Sequence, residues 1–262
     1  MRRMIVLALV FVLVAGGSAA AYDLSVGVTA GPHEEIMEVV RDILAEQGFT
    51  LRIVTFVDFV TPNIALADGE LDVNSYQHIP FLEQFTADRG LELDWIAPTV
   101  IFPMAVYSEQ ISSFDELRSG ALVSIPNDPT NGGRALLLLE AAELITLAEG
   151  AGLAATVFDI VDNPYKLRIT EMDAANLPRS LQDVDLAVIN TNYAIEAGMN
   201  PVEDSLVVEG ADSPYICVIA VRSGELEDSR YDALVAAYHS QAVLDFIEER
   251  FQGSVVAAFD LE

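Results

Sequence analysis

Asn131 and Arg134 stand three residues apart in the run Val123–Ala135, Val-Ser-Ile-Pro-Asn-Asp-Pro-Thr-Asn-Gly-Gly-Arg-Ala, which continues into Leu136–Leu139. An apolar, strand-like stretch ends in a loop punctuated by Pro126 and Pro129, and an apolar helix leaves it. The unpaired N–H groups and partial positive charge of a helix N-terminus attract anions. A guanidinium adds a planar fork that matches a carboxylate, and Gly132 and Gly133 let backbone come close to whatever lies beside the turn. The chemistry on offer is capture of a carboxylate. The plain alternative is an ordinary strand–loop–helix connection with a surface arginine.

Three further clusters carry polar or aromatic groups beside apolar runs. Asn74 to Phe81, with Tyr76, Gln77 and His78, crowds the end of a short strand, where open α/β sheets bind ligands; the alternative is two core aromatics and a structural histidine. Asn190, Thr191 and Asn192 follow the apolar run to Ile189, and Asn190 reads equally as a helix N-cap. Ser213-Pro214-Tyr215-Ile216-Cys217 ends in the chain's single cysteine, whose usual fate is burial in a strand.

These clusters need elements to hold them. Leu24–Thr29 reads as a first strand, broken by Gly31 and Pro32. Ile36, Val39, Val40, Ile43 and Leu44 then recur at helical spacing, with Gly48 as the stop. Leu51–Val57, Leu71–Asn74, Leu167–Glu171, Asp185–Ile189 and Ile216–Val221 are further strand candidates. Helices are expected over Pro62–Asp68, from Pro80 to Arg89, briefly after the capping-box spacing at Ser113, over Thr191–Ala197, and from about Asp228 onward. Strands alternating with helices predict an α/β protein with largely parallel sheets, and no low-complexity linker divides the chain.

The chain has 262 residues, 52% of them hydrophobic, enough for one large domain or two lobes with real cores. Residues 1–21 read as a signal peptide, with Arg2 and Arg3, an apolar run from Ile5 to Val14 and small residues at Ser18–Ala21. A retained anchor is the alternative. With 13 basic and 41 acidic residues the formal charge is −28, and Lys166 is the only lysine. Such a surface repels phosphate backbones and anionic head groups, which argues against nucleic-acid and membrane-surface partners. One cysteine excludes an intramolecular disulfide, and His33, His78 and His239 are too scattered to suggest zinc, so no metal or cofactor is expected. Signature loops of hydrolases, P-loop NTPases and dinucleotide enzymes are missing, and nothing near Cys217 and His78 suggests an activated thiolate, so the chain reads as a non-enzyme.

Across these clusters the sequence resembles the methionine-binding, NlpA-type lipoproteins, the substrate-binding components of bacterial methionine ABC importers. The resemblance is carried by Val54–Phe59 with Pro62-Asn63, Asn74–Leu82, Pro126–Arg134 with its leucines, Leu177–Leu181, Ala187–Tyr193 and Ser213–Tyr215. It spans essentially the whole chain after the leader. It implies a type II periplasmic-binding-protein fold, two α/β lobes joined by strand crossovers: residues 22–108 and 215–262 in one lobe, 109–214 in the other. It further implies that Arg134 pairs with a ligand carboxylate, assisted by Asn131, and that Asn190 contacts the α-amino or carboxylate group. Phe59, Tyr76, His78 and Phe81 are implied as walls around a thioether. A thioether gains from aromatic contacts.

On this resemblance the protein is expected to be exported, to bind L-methionine or a close relative as a monomer, and to hand it to a permease and its ATPase. Alternative ligands are D-methionine, a methionine-containing dipeptide or another apolar amino acid; the alternative role is sensing for a membrane receptor. Two departures stand out. Gly17 occupies the place of the lipid-modified cysteine, which predicts a soluble mature protein. Cys217 occupies a position where methionine binders tend to have asparagine, and a thiol replaces an amide poorly.

Overall fold

The computed structural model describes residues 23–210 and 213–261, so the leader reading and Gly17 lie outside the described residues. In chain order the first elements are β1 (Leu24–Thr29), α1 (Pro32–Glu46), β2 (Leu51–Phe56), α2 (Thr61–Ala67), β3 (Val73–His78), α3 (Ile79–Arg89) and β4 (Leu93–Ile101). There follow β5 (Ala105–Tyr107), β6 (Leu122–Pro126), α4 (Pro129–Ala141), a hairpin of β7 (Thr146–Leu147) and β8 (Ile160–Asp162), and β9 (Arg168–Met172). The chain ends with α5 (Leu177–Ser180), β10 (Leu186–Ile189), α6 (Thr191–Glu196), β11 (Val207–Val208), β12 (Ile216–Arg222), α7 (Arg230–Tyr238), α8 (Gln241–Phe251) and β13 (Val256–Ala257).

Two mixed sheets result. One has the order β13-β4-β12-β3-β1-β2, the other β11-β5-β10-β6-β9. The chain leaves the first sheet after Ile101, enters the second at Ala105, and returns to the first at Ile216. Both sheets are covered on both faces, which explains why their strands read as continuous apolar runs. In β12 Cys217, Ile219 and Val221 enter the core beneath α1, α7 and α8, while Val218 and Ala220 face α2. In β10 Leu186 and Val188 pack with the leucines of α4, while Ala187 and Ile189 pack with α5 and α6. This is the period-two alternation of a strand applied to two apolar layers. Among the described residues no helix is long and apolar enough to cross a membrane.

Local signals account for most element ends. Pro32, Pro62, Pro80 and Pro129 each sit in the first turn of a helix, where a missing N–H costs nothing. Gly90 closes α3 in the left-handed conformation, φ 64°. Three expectations change. The sheets, expected to be largely parallel, are mixed, because β12 runs antiparallel to both β3 and β4 and β5 antiparallel to both β10 and β11. The strand read as ending at Asn74 continues through His78, because Asn74, Ser75 and Gln77 are buried and their polarity is met inside the protein. The single C-terminal helix is two: Ser240 is extended and its hydroxyl accepts from the Val243 N–H, starting α8 afresh. The helix expected after Ser113 is one 3₁₀ turn, Phe114–Glu116.

Candidate ligand-binding site

Between the two sheets lies a cavity with about 380 Å³ of space among its lining atoms, part of it open to solvent. All eight residues singled out in the sequence line it: Phe59, Tyr76, His78, Phe81, Asn131, Arg134, Asn190 and Cys217. The structure adds His33, Gln77, Phe102, Asn192 and Tyr215. Gln77, Asn192 and Tyr215 belong to the polar clusters visible in the sequence; His33 and Phe102 carry no local signal, since each is brought in by packing.

The N-terminus of α4 supplies Asn131 and Arg134. Asp128 caps it, accepting from the Asn131 backbone N–H at 2.9 Å and from Thr130 Oγ1 at 3.0 Å. The Asn131 side chain does not point a free amide at the cavity. Its Nδ2 donates to both Asp128 oxygens at 3.0 Å, and its Oδ1 accepts from Asn190 Nδ2 at 2.8 Å. A third partner is His78. Because His78 Nδ1 accepts from the Phe81 N–H at 3.1 Å, its proton sits on Nε2, which donates to Asn131 Oδ1 at 3.2 Å. Asn131 therefore ties α3 of the first sheet to α6 of the second. The amide expected to assist a carboxylate is thus already engaged by protein partners.

Gly133 shows what lies beside the turn. A Cβ on Gly133 would lie 2.4 Å from the Leu153 carbonyl oxygen and 3.1 Å from both Ala155 N and O. The close approach is to the protein's own 152–155 turn.

Arg134 is buried and reaches the cavity already paired. Its Nε donates to Glu209 at 2.9 Å and 3.2 Å, its Nη2 also meets Glu209 and donates to the Phe102 carbonyl at 2.7 Å, and its guanidinium lies 4.1 Å over the Tyr215 ring. The free fork read from the sequence is thus half taken; Nη1 has no hydrogen-bond partner among the described residues. Glu209 lies 75 residues away among 41 acidic residues, and no spacing rule could have selected it.

The lining also contains an aromatic wall. Phe59 packs with Tyr76 and Phe81 at 6.0 Å between ring centroids and with Tyr193 at 4.9 Å. Tyr76 fixes the wall by donating to the Phe59 carbonyl at 2.7 Å. Behind it Asn63, Asn74 and Gln77 satisfy one another: Asn63 Nδ2 donates to Gln77 Oε1 at 2.7 Å, Gln77 Nε2 to Asn63 Oδ1 at 2.6 Å, and Asn74 Nδ2 to Asn63 Oδ1 at 2.8 Å. This buried network locks α2 to β3.

His33 and His78 are both neutral: burial pushes their pKa values down to about 3, and for His78 the Arg134 charge acts in the same direction. Burial pushes the Cys217 thiol up to about 12. With both His78 nitrogens engaged and the thiol protonated, the pair lacks the ingredients of a nucleophile and its base. Among the described residues no cluster of three or more His, Cys, Asp or Glu could hold a metal ion.

What the cavity leaves open is specific. Asn190 Oδ1, Asn192 Nδ2, the Tyr215 hydroxyl and His33 Nδ1 are buried polar atoms with no partner among the described residues. Buried polar groups are normally satisfied, so these four atoms are hydrogen-bonding capacity that the protein itself leaves unused. Asn190 sits at the N-cap position of α6 but makes no side-chain cap bond; its side chain serves the cavity instead.

Two α/β lobes, two chain crossings and a polar cavity between them define a type II periplasmic-binding-protein-like fold, the fold of substrate-binding proteins. The chain belongs to the NlpA lipoprotein family, whose model matches residues 24–259. A probable D-methionine-binding lipoprotein MetQ of Vibrio cholerae is 44% identical over 248 residues, covering 93% of this chain and 92% of that one. The D-methionine-binding lipoprotein MetQ of Escherichia coli is 42% identical, covering 89% and 87%. A nutrient-binding protein of Burkholderia cenocepacia, solved bound to methionine, superposes with a TM-score of 0.88 at 44% identity, covering 90% of this chain and all of that one.

Proposed function

We propose that the protein binds L-methionine, or a close relative of it, in this cavity and delivers it to an ABC permease and its ATPase. The observation that carries this reading is the polarity of the cavity. Its lining combines Arg134 and a set of unpartnered donors and acceptors with a cluster of aromatic rings, Phe59, Tyr76 and Phe81. An amino acid with an apolar, polarisable side chain has the same combination. The Arg134–Glu209 pair adds a charge argument: the cavity's cation is already balanced, so a zwitterion, neutral overall, suits it better than a free anion.

The leader-like residues 1–21 support an exported protein, and Gly17 supports one without a lipid anchor. D-methionine is the second reading, favoured by the names of the relatives from Vibrio cholerae and Escherichia coli. Calorimetry and thermal shift on the purified mature protein test both, with L-methionine, D-methionine, a methionine-containing dipeptide and leucine. A ligand at a hundred times its dissociation constant adds about 2.7 kcal/mol of stability. Saturable binding of a methionine compound with leucine excluded is the expected result; no response to any methionine compound overturns the proposal.

A further inference from the structure

We propose that His33 is a specificity-determining residue that accepts a hydrogen bond from the ligand's α-ammonium group, so that only ligands carrying a free amine bind tightly. The inference rests on the amino-acid reading above and assigns a role to a residue outside the eight read from the sequence.

The cavity has to satisfy an ammonium without an acidic partner, because no aspartate or glutamate lines it. Neutral acceptors must do so, and most are already spent. Asn131 Oδ1 accepts from His78 and Asn190, Gln77 Oε1 accepts from Asn63, and His78 Nδ1 caps α3. The Cys217 thiol, protonated at neutral pH, is a poor acceptor. Asn190 Oδ1, the Tyr215 hydroxyl and His33 Nδ1 remain.

His33 is placed for this role. It stands in the first turn of α1 with 4% exposure, and its ring packs on Phe102 at 4.4 Å between centroids. The Phe102 carbonyl in turn receives Arg134 Nη2. One residue therefore links the imidazole to the guanidinium expected to hold the carboxylate, and both side chains line the same cavity. Burial keeps the imidazole uncharged; with its proton on Nε2 it offers Nδ1 as an acceptor. A protonated imidazole would repel the ammonium. The second free acceptor, Asn190 Oδ1, comes from α6 in the other lobe, and α1 and α6 are in contact. A shared ammonium would thus bridge both lobes in the closed state.

His33→Phe keeps a ring of similar size against Phe102 and removes the acceptor; His33→Asn keeps an acceptor near the Nδ1 position. Calorimetry is run on the full mature protein with L-methionine and with the analogue carrying hydrogen in place of the ammonium. The expected result is an affinity loss of about tenfold to a hundredfold for L-methionine in His33→Phe, little change for the analogue, and partial recovery in His33→Asn. Thermal melts of the unliganded variants verify that they fold. An equal loss for both ligands, or no loss for L-methionine, overturns the assignment and leaves His33 a packing residue. Failure of the parent protein to bind L-methionine is a separate result, which overturns the amino-acid reading and this inference with it.

Discussion

Arg134 and Glu209, 75 residues apart in the chain, form an ion pair inside the protein, the arginine side chain 3% and the glutamate side chain 17% exposed. Glu209 is held by more than the arginine: the Met104 N–H donates to it at 3.2 Å and Ser213 Oγ at 3.4 Å. The guanidinium presents its Nε and Nη2 edge to this carboxylate, and Nη1 has no hydrogen-bond partner among the described residues.

Removing Glu209 therefore strands a buried charge. Glu209→Gln is expected to lower stability by about 3 kcal/mol, the low end for breaking a buried pair because the glutamate retains some solvent. Urea denaturation of the unliganded protein measures it. Arg134→Ala is expected to abolish detectable methionine binding in calorimetry, and unchanged affinity would remove Arg134 from the site.

His33 and His78 make stability depend on pH in a definite direction. Both have folded-state pKa values of about 3 against 6.5 in the unfolded chain, so below 6.5 the unfolded state binds protons that the folded state refuses. Their contribution is fully present above pH 6.5 and is lost as pH falls toward 3. Each histidine adds a slope of about 1.4 kcal/mol per pH unit in that window. Denaturation curves at a series of pH values should show it, and His33→Phe should remove one histidine's share.

Gly133→Ala should destabilise the protein although alanine is the better helix former by about 1 kcal/mol. The new Cβ would lie 2.4 Å from the Leu153 carbonyl oxygen, a backbone atom that cannot swing aside. The overlap should outweigh propensity and leave a net loss of about 1–3 kcal/mol. A thermal melt decides the sign.

Cys217 should react slowly with iodoacetamide at pH 8 in the folded protein and readily once unfolded, since burial holds its pKa at about 12. Cys217→Asn would place an amide in the cavity beside His78, its neighbour across β12 and β3. It is expected to tighten methionine binding by about 1–3 kcal/mol if the new amide reaches the ligand's polar end. Calorimetry showing no change would place position 217 out of reach of the ligand.

Much of the architecture is legible in the sequence alone. Prolines in first turns, glycines after helices and alternating apolar runs act within a few residues of one another, so the order of strands and helices could be read directly. The same locality explains the recovery of Asn131 with Arg134 and of the Asn74–Phe81 cluster, which sit where strands give way to helices. The sequence pattern makes β3 too short because a polar residue normally marks a surface. Asn74 and Gln77 break that rule only because Asn63, 11 and 14 residues earlier, answers their amides.

The sequence by itself determined an α/β chain, its strongly acidic surface, and a set of donors and aromatics suited to an amino acid. Only the tertiary structure decided how those residues divide their work. It gave half of the Arg134 fork to Glu209, made Asn131 a tie between His78 and Asn190, and turned Gly133 toward Leu153. It also brought His33 into the cavity from the start of the first helix. The physical reason is range. Backbone preferences are set by near neighbours, whereas a buried donor or charge takes whichever partner packing brings within about 3 Å, however distant in sequence.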